Sequence, residues 1–392
     1  MPRLPENWRK RKGFVLMLAK RPPMGWNSWN TFGNDISERL IMETANAMVN
    51  LGYRDAGYKY LVIDDCWSKK ERDAQGRLVA DEEKFPHGMK YLADYVHSKG
   101  LKFGMYSCAG VLTCAGYPSS YDHEFVDAQT FADWGVDFLK YDFCNFPQSA
   151  DCKARYLRMS MALKATGRDI LFSACNWGVG EPWKWMASIG VQMYRSTGDI
   201  QDNYQSFKSI AESQIPNLCM SGSGCFNDPD MLVVGMYGKG NVGFGGCSDL
   251  EYRTHFALWC LFGVPLMMGG DIRSLSETSR ELLLNRELIA LDQDEECRPP
   301  YLADHRDNRY FFVRHLSNRE FALGYFNLSD ETNATYRFCG ALADIGLPVG
   351  SGYGLELTDL FTGETIGIKT DYFNPEVEAH GCKLYRAKLV RL

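Results

Sequence analysis

Three short runs in this chain end on carboxylates: Tyr60-Leu61-Val62-Ile63-Asp64-Asp65, Phe138-Leu139-Lys140-Tyr141-Asp142 and Tyr194-Arg195-Ser196-Thr197-Gly198-Asp199. Each starts in aromatic or apolar residues and stops on an acid, which is how several strands would deliver carboxyl groups to one polar site. Paired carboxyls serve acid–base and displacement chemistry. Lys140 and Asp142 are two apart on a strand, so both side chains leave the same face. An ammonium beside a carboxylate keeps it ionised, as a nucleophile requires. The plainer alternative is an ordinary strand-end ion pair. Arg195 and Asp199 are four apart across a turn containing Gly198, where Asp199 taken alone reads better as a helix N-cap. Asp64 and Asp65 reach one site together only if the strand has ended and the chain bends. Two buried like charges are costly unless hydroxyls or cations meet them, and a polyhydroxylated ligand fits that need.

Aromatic residues gather at the same strand ends: Trp26, Trp29, Tyr106, Trp177, Trp183 and Trp185. They offer flat faces for sugar C–H groups, although most buried tryptophans are simply core. The run Asn227-Asp228-Pro229-Asp230-Met231 adds two further acids after the expected seventh strand. Other chemistries lack their signatures. The seven histidines form no HxH or HExxH pattern, so no metal site is expected. No GxSxG nucleophile elbow occurs. Gly238-Lys239-Gly240-Asn241-Val242-Gly243 fits GxGxxG by spacing but falls too late to open a βαβ unit, and is expected to be a loop. No cofactor is expected.

The elements that must position these residues repeat as strand, helix, glycine, strand. Strands are expected to end near Trp29, Asp65, Tyr106, Asp142, Cys175, Arg195, Gly222 and Gly269. Leu40, Ile41, Thr44, Ala45, Met48 and Val49 form one helical face, opened by Ser37 and closed by Gly52. Met89, Leu92, Ala93 and Val96 form another, as do Phe125, Ala128, Phe131 and Ala132 before Gly135. This periodicity describes an α/β fold, a (β/α)8 TIM barrel, whose catalytic groups sit at the C-terminal ends of its strands. A doubly wound sheet would need a glycine cluster in its first turn, and Asn30-Thr31-Phe32-Gly33-Asn34 has none. Beyond Cys297 short strands follow one another without helices, as in a small antiparallel β-sandwich. The expected division is an N-terminal extension over 1–20, a barrel over 21–296 and a sandwich over 297–392.

With 392 residues, 45% apolar and 23% charged, the composition is that of a soluble globular chain. A net charge of -6, with Arg9-Lys10-Arg11-Lys12 as the one basic cluster, disfavours nucleic acid as a partner. No apolar run reaches the roughly 20 residues of a membrane span. The basic start followed by Gly13–Ala19 has a signal-peptide flavour, but no small-residue cleavage site follows and Lys20-Arg21 closes it. A cytoplasmic chain is expected, with secretion as the alternative; only then would the sequons at Asn327 and Asn333 matter. The 13 cysteines are odd in number and show no CxxC pairs, so buried free thiols with at most one local bridge are the default. Oligomeric state, including a homo-oligomer, is left open.

In order along the chain, Met24-Gly25-Trp26-Asn27-Ser28-Trp29, Ile63-Asp64-Asp65-Cys66-Trp67, Lys84-Phe85-Pro86-His87-Gly88, Asp127 to Asp137, Lys140-Tyr141-Asp142-Phe143-Cys144, Arg195-x-x-x-Asp199 and Asn227-Asp228-Pro229-Asp230-Met231-Leu232 resemble glycoside hydrolase family 27, the α-galactosidases or melibiases. The resemblance runs from Arg21 nearly to the end. It implies a retaining double displacement with Asp142 as nucleophile and Asp199 as acid/base, its pKa raised by neighbouring carboxylates. It implies that Asp64 and Asp65 accept hydrogen bonds from O4 and O6, that Lys140 bonds O3 or O4, and that Arg195 lies near O2. Trp29, Tyr106 and Asp230 match other pocket positions, and Cys114 and Cys144 match a disulfide beside the site. The chain departs from the pattern after the fifth strand. In Cys175-Asn176-Trp177, Asn176 stands where many relatives carry Glu, and Phe226 stands where Trp is common. The bulk of Trp177 favours galactose over N-acetylgalactosamine. The implied function is exo-hydrolysis of terminal α-galactosyl groups from a carbohydrate substrate, with a β-L-arabinopyranosidase or α-N-acetylgalactosaminidase as the nearest alternatives. A galactose-binding protein without catalysis is the alternative of another class.

Overall fold

The computed structural model describes residues 17–331, 342–348 and 350–392. Eight short parallel strands form the first sheet: β1 (Met24–Asn27), β2 (Tyr60–Val62), β3 (Lys102–Cys108), β4 (Phe138–Asp142), β5 (Leu171–Cys175), β6 (Met193–Arg195), β7 (Phe226–Asp228) and β8 (Leu266–Met268). They neighbour one another in chain order, and β1 also pairs with β8. Between β7 and β8 the ring closes just past β7, where Leu232 bridges Met268 and bonds the backbone of Met267 and Gly269. The result is the (β/α)8 barrel. The strands are almost wholly buried, as a sheet covered on both faces requires.

Helices α1 (Glu38–Asn50), α2 (Gly88–Ser98), α3 (Glu124–Trp134), α4 (Cys152–Ala165), α5 (Tyr204–Gln214), α6 (Asp249–Phe262), α7 (Glu277–Leu283) and α8 (Arg286–Asp292) cover the outside. α1 begins where expected, with the Ser37 hydroxyl accepting the Leu40 N–H at 3.2 Å, and buries Leu40, Ile41, Thr44, Ala45 and Met48. In α3 the inner face is turned from the expected one. Phe125 is exposed, while Glu124 and Asp127 are buried because Arg158 and Arg72 pair with them. Between β5 and β6 no α-helix forms; Pro182 and Gly190 bound two 3-10 turns instead. The seventh strand does not end near Gly222. Gly222 forms a turn bridged to Cys225, and the strand is Phe226–Asp228, stopped by Pro229, which has no N–H to continue the ladder.

The second sheet is antiparallel and six-stranded: β9 (Tyr301–Arg306), β10 (Arg309–His315), β11 (Glu320–Asn327), β12 (Tyr353–Asp359), β13 (Thr365–Lys369) and β14 (Cys382–Arg391), in the order β9-β10-β11-β14-β12-β13. One face, with Phe312, Phe326 and Leu384, joins the barrel core; the other, with Phe311, Leu323 and Leu357, packs under Leu342, Ile345 and Val377. Arg314 ties the two parts together. Fully buried, it donates to the carbonyls of Cys260 at 3.1 Å and Leu261 at 3.2 Å, at the C-terminal end of α6, and to that of Arg298 at 2.7 Å. A guanidinium there satisfies orphan carbonyls and complements the helix dipole. Of the two sequons, Asn333 lies outside the described residues. Asn327 is buried, its amide donating to the carbonyls of Glu331 and Val377, so it presents no free acceptor.

Candidate active site

The acidic strand ends meet in one pocket of about 450 Å³, counted to its open mouth, at the C-terminal end of the barrel. Trp29, Asp64, Asp65, Tyr106, Cys114, Lys140, Asp142, Trp177, Arg195, Asp199 and Asp230 all line it. A larger hollow of about 990 Å³ beside Arg77 and Trp134 lies away from these groups, so the site is chosen on chemistry rather than size.

The floor is held by buried polar pairs. β2 ends at Val62, and Cys66 takes φ 70°, so the chain bends and both Asp64 and Asp65 turn inward. Asp64 Oδ2 accepts from Asn27 Nδ2 at 2.7 Å and from Lys140 Nζ at 2.8 Å. Asp65 accepts from the backbone N–H of Cys66 at 2.7 Å and of Ala115 at 2.9 Å. Burial raises the pKa of Asp65 despite those donors. Lys140 therefore pairs with Asp64, not with Asp142 as the strand spacing suggested. Its ammonium lies 5.3 Å from the Tyr106 ring centroid. Burial is the largest single effect on it and lowers its pKa, but the fields of Asp64, Cys175 and Asp142 and the Asp64 hydrogen bond together outweigh burial and raise it.

Asp142 is buried. Its Oδ1 accepts the Phe143 N–H at 2.8 Å, and its Oδ2 lies 3.6 Å from Cys114 Sγ. Burial raises its pKa, the Lys140 charge and the Phe143 N–H opposing that rise. Tyr156 fixes the strand end from outside the barrel by donating to the carbonyls of Tyr141 and Asp142. Cys114 and Cys144 form the disulfide that the resemblance implied, and Tyr106 donates its hydroxyl to Cys114 Sγ at 3.4 Å. Their sulfurs and a carboxylate oxygen of Asp142 lie within 4.8 Å of one another, but both sulfurs are taken up by their mutual bond.

Asp199 occupies the mouth, its side chain 71% exposed, with Oδ1 2.6 Å from Arg195 Nη2. The same nitrogen lies 2.7 Å from Asp230 Oδ2. The expectation of a raised pKa at Asp199 is overturned in the ligand-free site. Partial dehydration in the concave mouth pushes it up, but the Arg195 and Lys140 charges and the Arg195 hydrogen bond together push it further down. Its neighbour Asp230 is instead pushed up to about 6 by burial, against the opposing pull of Arg195. Asp230 sits at φ 91° and accepts from Ile200 N and Met231 N, both at 2.7 Å, so one carboxylate braces the loops after β6 and β7.

Several expected contacts lie elsewhere. Asn176 is wholly buried and donates to the Val179 carbonyl at 2.6 Å, pinning its own loop rather than facing the pocket. Cys175 sits beneath Arg195, its Sγ 3.8 Å from Nη1, in the barrel interior. Trp26 is core, donating to the Gly270 carbonyl, and Trp183 and Trp185 pack on the barrel flank; Trp29 and Trp177 line the pocket. Trp177 takes φ 57° and meets Phe143 edge-on at 5.9 Å. Conversely, Asn30, Met231 and Val242 line the pocket without having been foreseen. Val242 comes from the glycine-rich loop and bonds back to the Asn30 carbonyl at 3.0 Å, a tertiary return with no periodic signal.

Comparison with known proteins agrees with this geometry over both sheets. Residues 21–294 match the family described as "Alpha galactosidase A", and residues 307–387 match the "Alpha galactosidase C-terminal beta sandwich domain". The chain is 43% identical over 369 residues to an alpha-galactosidase of Cyamopsis tetragonoloba, covering 94% of this chain and 86% of that one. The crystal structure of alpha-galactosidase I from Mortierella vinacea superposes with a TM-score of 0.88 at 35% identity, covering 94% and 97% of the two chains. The Saccharomyces cerevisiae alpha-galactosidase structure with raffinose gives 0.85 at 29% identity, covering 96% and 98%. The chain belongs to the α-galactosidase family, glycoside hydrolase family 27.

Proposed function

We propose that this pocket hydrolyses terminal α-D-galactosyl groups by double displacement, with Asp142 as nucleophile and Asp199 as acid/base. The observation that carries the assignment is the contrast between two carboxyls in one pocket. Asp142 is buried at the floor, and Asp199 stands at the mouth, where a leaving group must exit. An oxygen of Asp142 attacks the anomeric carbon while the glycosidic C–O bond breaks and Asp199 gives its proton to the departing oxygen. Water then attacks the glycosyl ester, Asp199 takes its proton, and the Asp142 carboxylate is released with retained configuration. Sugar binding dehydrates Asp199, and dehydration raises a carboxyl pKa, which puts the proton where the first step needs it.

In this reading Asp64 and Asp65 accept from O4 and O6, Lys140 donates to O3 or O4, and Arg195 reaches O2. Trp177 closes the O2 side against a bulkier substituent. The relative solved with raffinose supports galacto-oligosaccharides as the substrate class. No described helix is long and apolar enough to cross a membrane. The ten free cysteines among the described residues support the cytoplasm over a secretory compartment.

The test compares kcat/KM on nitrophenyl α-D-galactopyranoside, β-L-arabinopyranoside and N-acetyl-α-D-galactosaminide, with Asp142→Ala alongside. Galactoside preference and a loss of several orders of magnitude in the variant are expected. Equal or greater arabinoside turnover would reject the sugar assignment, and an active Asp142→Ala would reject the nucleophile.

A further inference from the structure

The glycine-rich segment after β7 carries one large apolar side chain that the folding of the chain does not use. Phe244 lies in the sequence Gly243-Phe244-Gly245-Gly246 and is 65% exposed. Among the described residues it meets no other aromatic ring at contact distance. An isolated exposed apolar residue is ordinary, but the scaffold of this one is not a loose loop. Gly243–Gly246 pairs in parallel with Asp202–Asn203, Gly243 opposite Asp202 and Gly246 opposite Asn203, so Phe244 and Gly245 bulge outward between two paired positions. Buried Asp202 anchors the segment, accepting from Gly238 N at 2.6 Å and from the Tyr252 hydroxyl at 2.7 Å. On the other side, Asn241 N and Val242 N donate to the carbonyls of Thr31 and Asn30.

The segment that carries this bulge starts at the pocket lining, through Val242. Asp202 is three residues beyond Asp199, whose side chain stands at the mouth, and Val242, two residues before Phe244, lines the pocket itself. The chain that carries Asp199 thus runs, three residues on, into the strand that pairs with the Phe244 segment.

We propose that Phe244 is the platform of an aglycone subsite, on which the sugar ring attached to the scissile galactose lays its C–H face. This rests on the assignment of Asp199 as acid/base. A flat apolar face on an anchored rim suits a pyranose or furanose ring and offers little to a methyl group. The subsite therefore selects galactosyl oligosaccharides over simple alkyl galactosides.

The experiment measures kcat/KM for raffinose and for methyl α-D-galactopyranoside in the wild type, Phe244→Ala and Phe244→Trp, with Tyr372→Ala, exposed in the loop between β13 and β14, as a control. The raffinose-to-methyl-galactoside ratio is expected to fall roughly three- to tenfold in Phe244→Ala, mainly through KM, and to be kept in Phe244→Trp. Tyr372→Ala should leave the ratio where it was. An unmoved ratio in Phe244→Ala, or an equal loss on both substrates, overturns the subsite while leaving the galactosidase assignment intact. A wild type that hydrolyses neither galactoside overturns both. Thermal melting of each variant separates a folding defect from a lost contact, and the tryptophan variant tests the platform even if the alanine variant is unstable.

Discussion

Gly178 is the position where a single methyl group should disable the site without touching a catalytic atom. It follows Trp177, has φ 84°, and donates its N–H to the Arg195 carbonyl at 3.3 Å. A Cβ there would sit 2.5 Å from the Ser196 carbonyl oxygen, closer than the 3.0 Å below which real Cβ contacts essentially never fall. The loops after β5 and β6 must therefore separate by half an ångström or more, carrying Trp177 away from Arg195 and Asp199. Misplacement by about 1 Å costs on the order of a hundredfold in rate, so Gly178→Ala should lower kcat/KM roughly ten- to hundredfold. Its left-handed backbone adds roughly 1–2 kcal/mol of destabilisation. Gly180 isolates the second effect, because it has φ 69° and nothing within 4 Å of its would-be Cβ. Gly180→Ala should show the stability cost with kcat/KM within about twofold of wild type. Initial rates on nitrophenyl α-galactoside and urea unfolding of both variants decide it. Gly178→Ala at wild-type kcat/KM, or Gly180→Ala losing as much, would refute the reasoning.

The pH profile should differ between free and bound enzyme. Asp199 has a depressed pKa in the free site and sugar burial raises it, so the alkaline limb of kcat should lie at higher pH than that of kcat/KM. Coincident limbs, or the reverse order, would contradict this, with the apparent values belonging to the Asp142–Asp199 pair. Reducing the Cys114–Cys144 bond should raise KM several-fold, because Ala115 N bonds Asp65 beside it. It should also cost up to about 3.5 kcal/mol of stability for a separation of 30 residues, both effects reversing on reoxidation. Unaltered kinetics after verified reduction would show that the loop holds itself. Arg314→Met should destabilise the chain by roughly 3–5 kcal/mol in urea unfolding, since buried carbonyls lose their cation. A loss under about 1 kcal/mol would show that apolar packing alone joins the two sheets.

The barrel was legible because its strands are short apolar runs ended by polar residues and its helices are closed by glycine. Asp64, Asp65, Asp142 and Asp199 were legible for the same reason, since the end of each strand marks where its side chains emerge. Asn176 and Cys175 were misplaced because adjacency in sequence says nothing of which way a loop turns after its strand ends. Asn176 turns back to its own loop carbonyl at Val179, and Cys175 stays under Arg195. The faces of α3 were misjudged because arginines from α4 and from the loop after β2 neutralise Glu124 and Asp127, making acids compatible with the interior.

By itself the sequence determined which carboxylates enter the site, because strand length and strand ends are local properties of residue type. Only the tertiary structure decided how those groups pair. Lys140 turns to Asp64 rather than Asp142, Arg195 holds both Asp199 and Asp230, and Val242 returns from a distant loop. The reason is physical: a charge buried in a closed barrel selects its partner by distance and desolvation, and both are set by strands far apart in the chain.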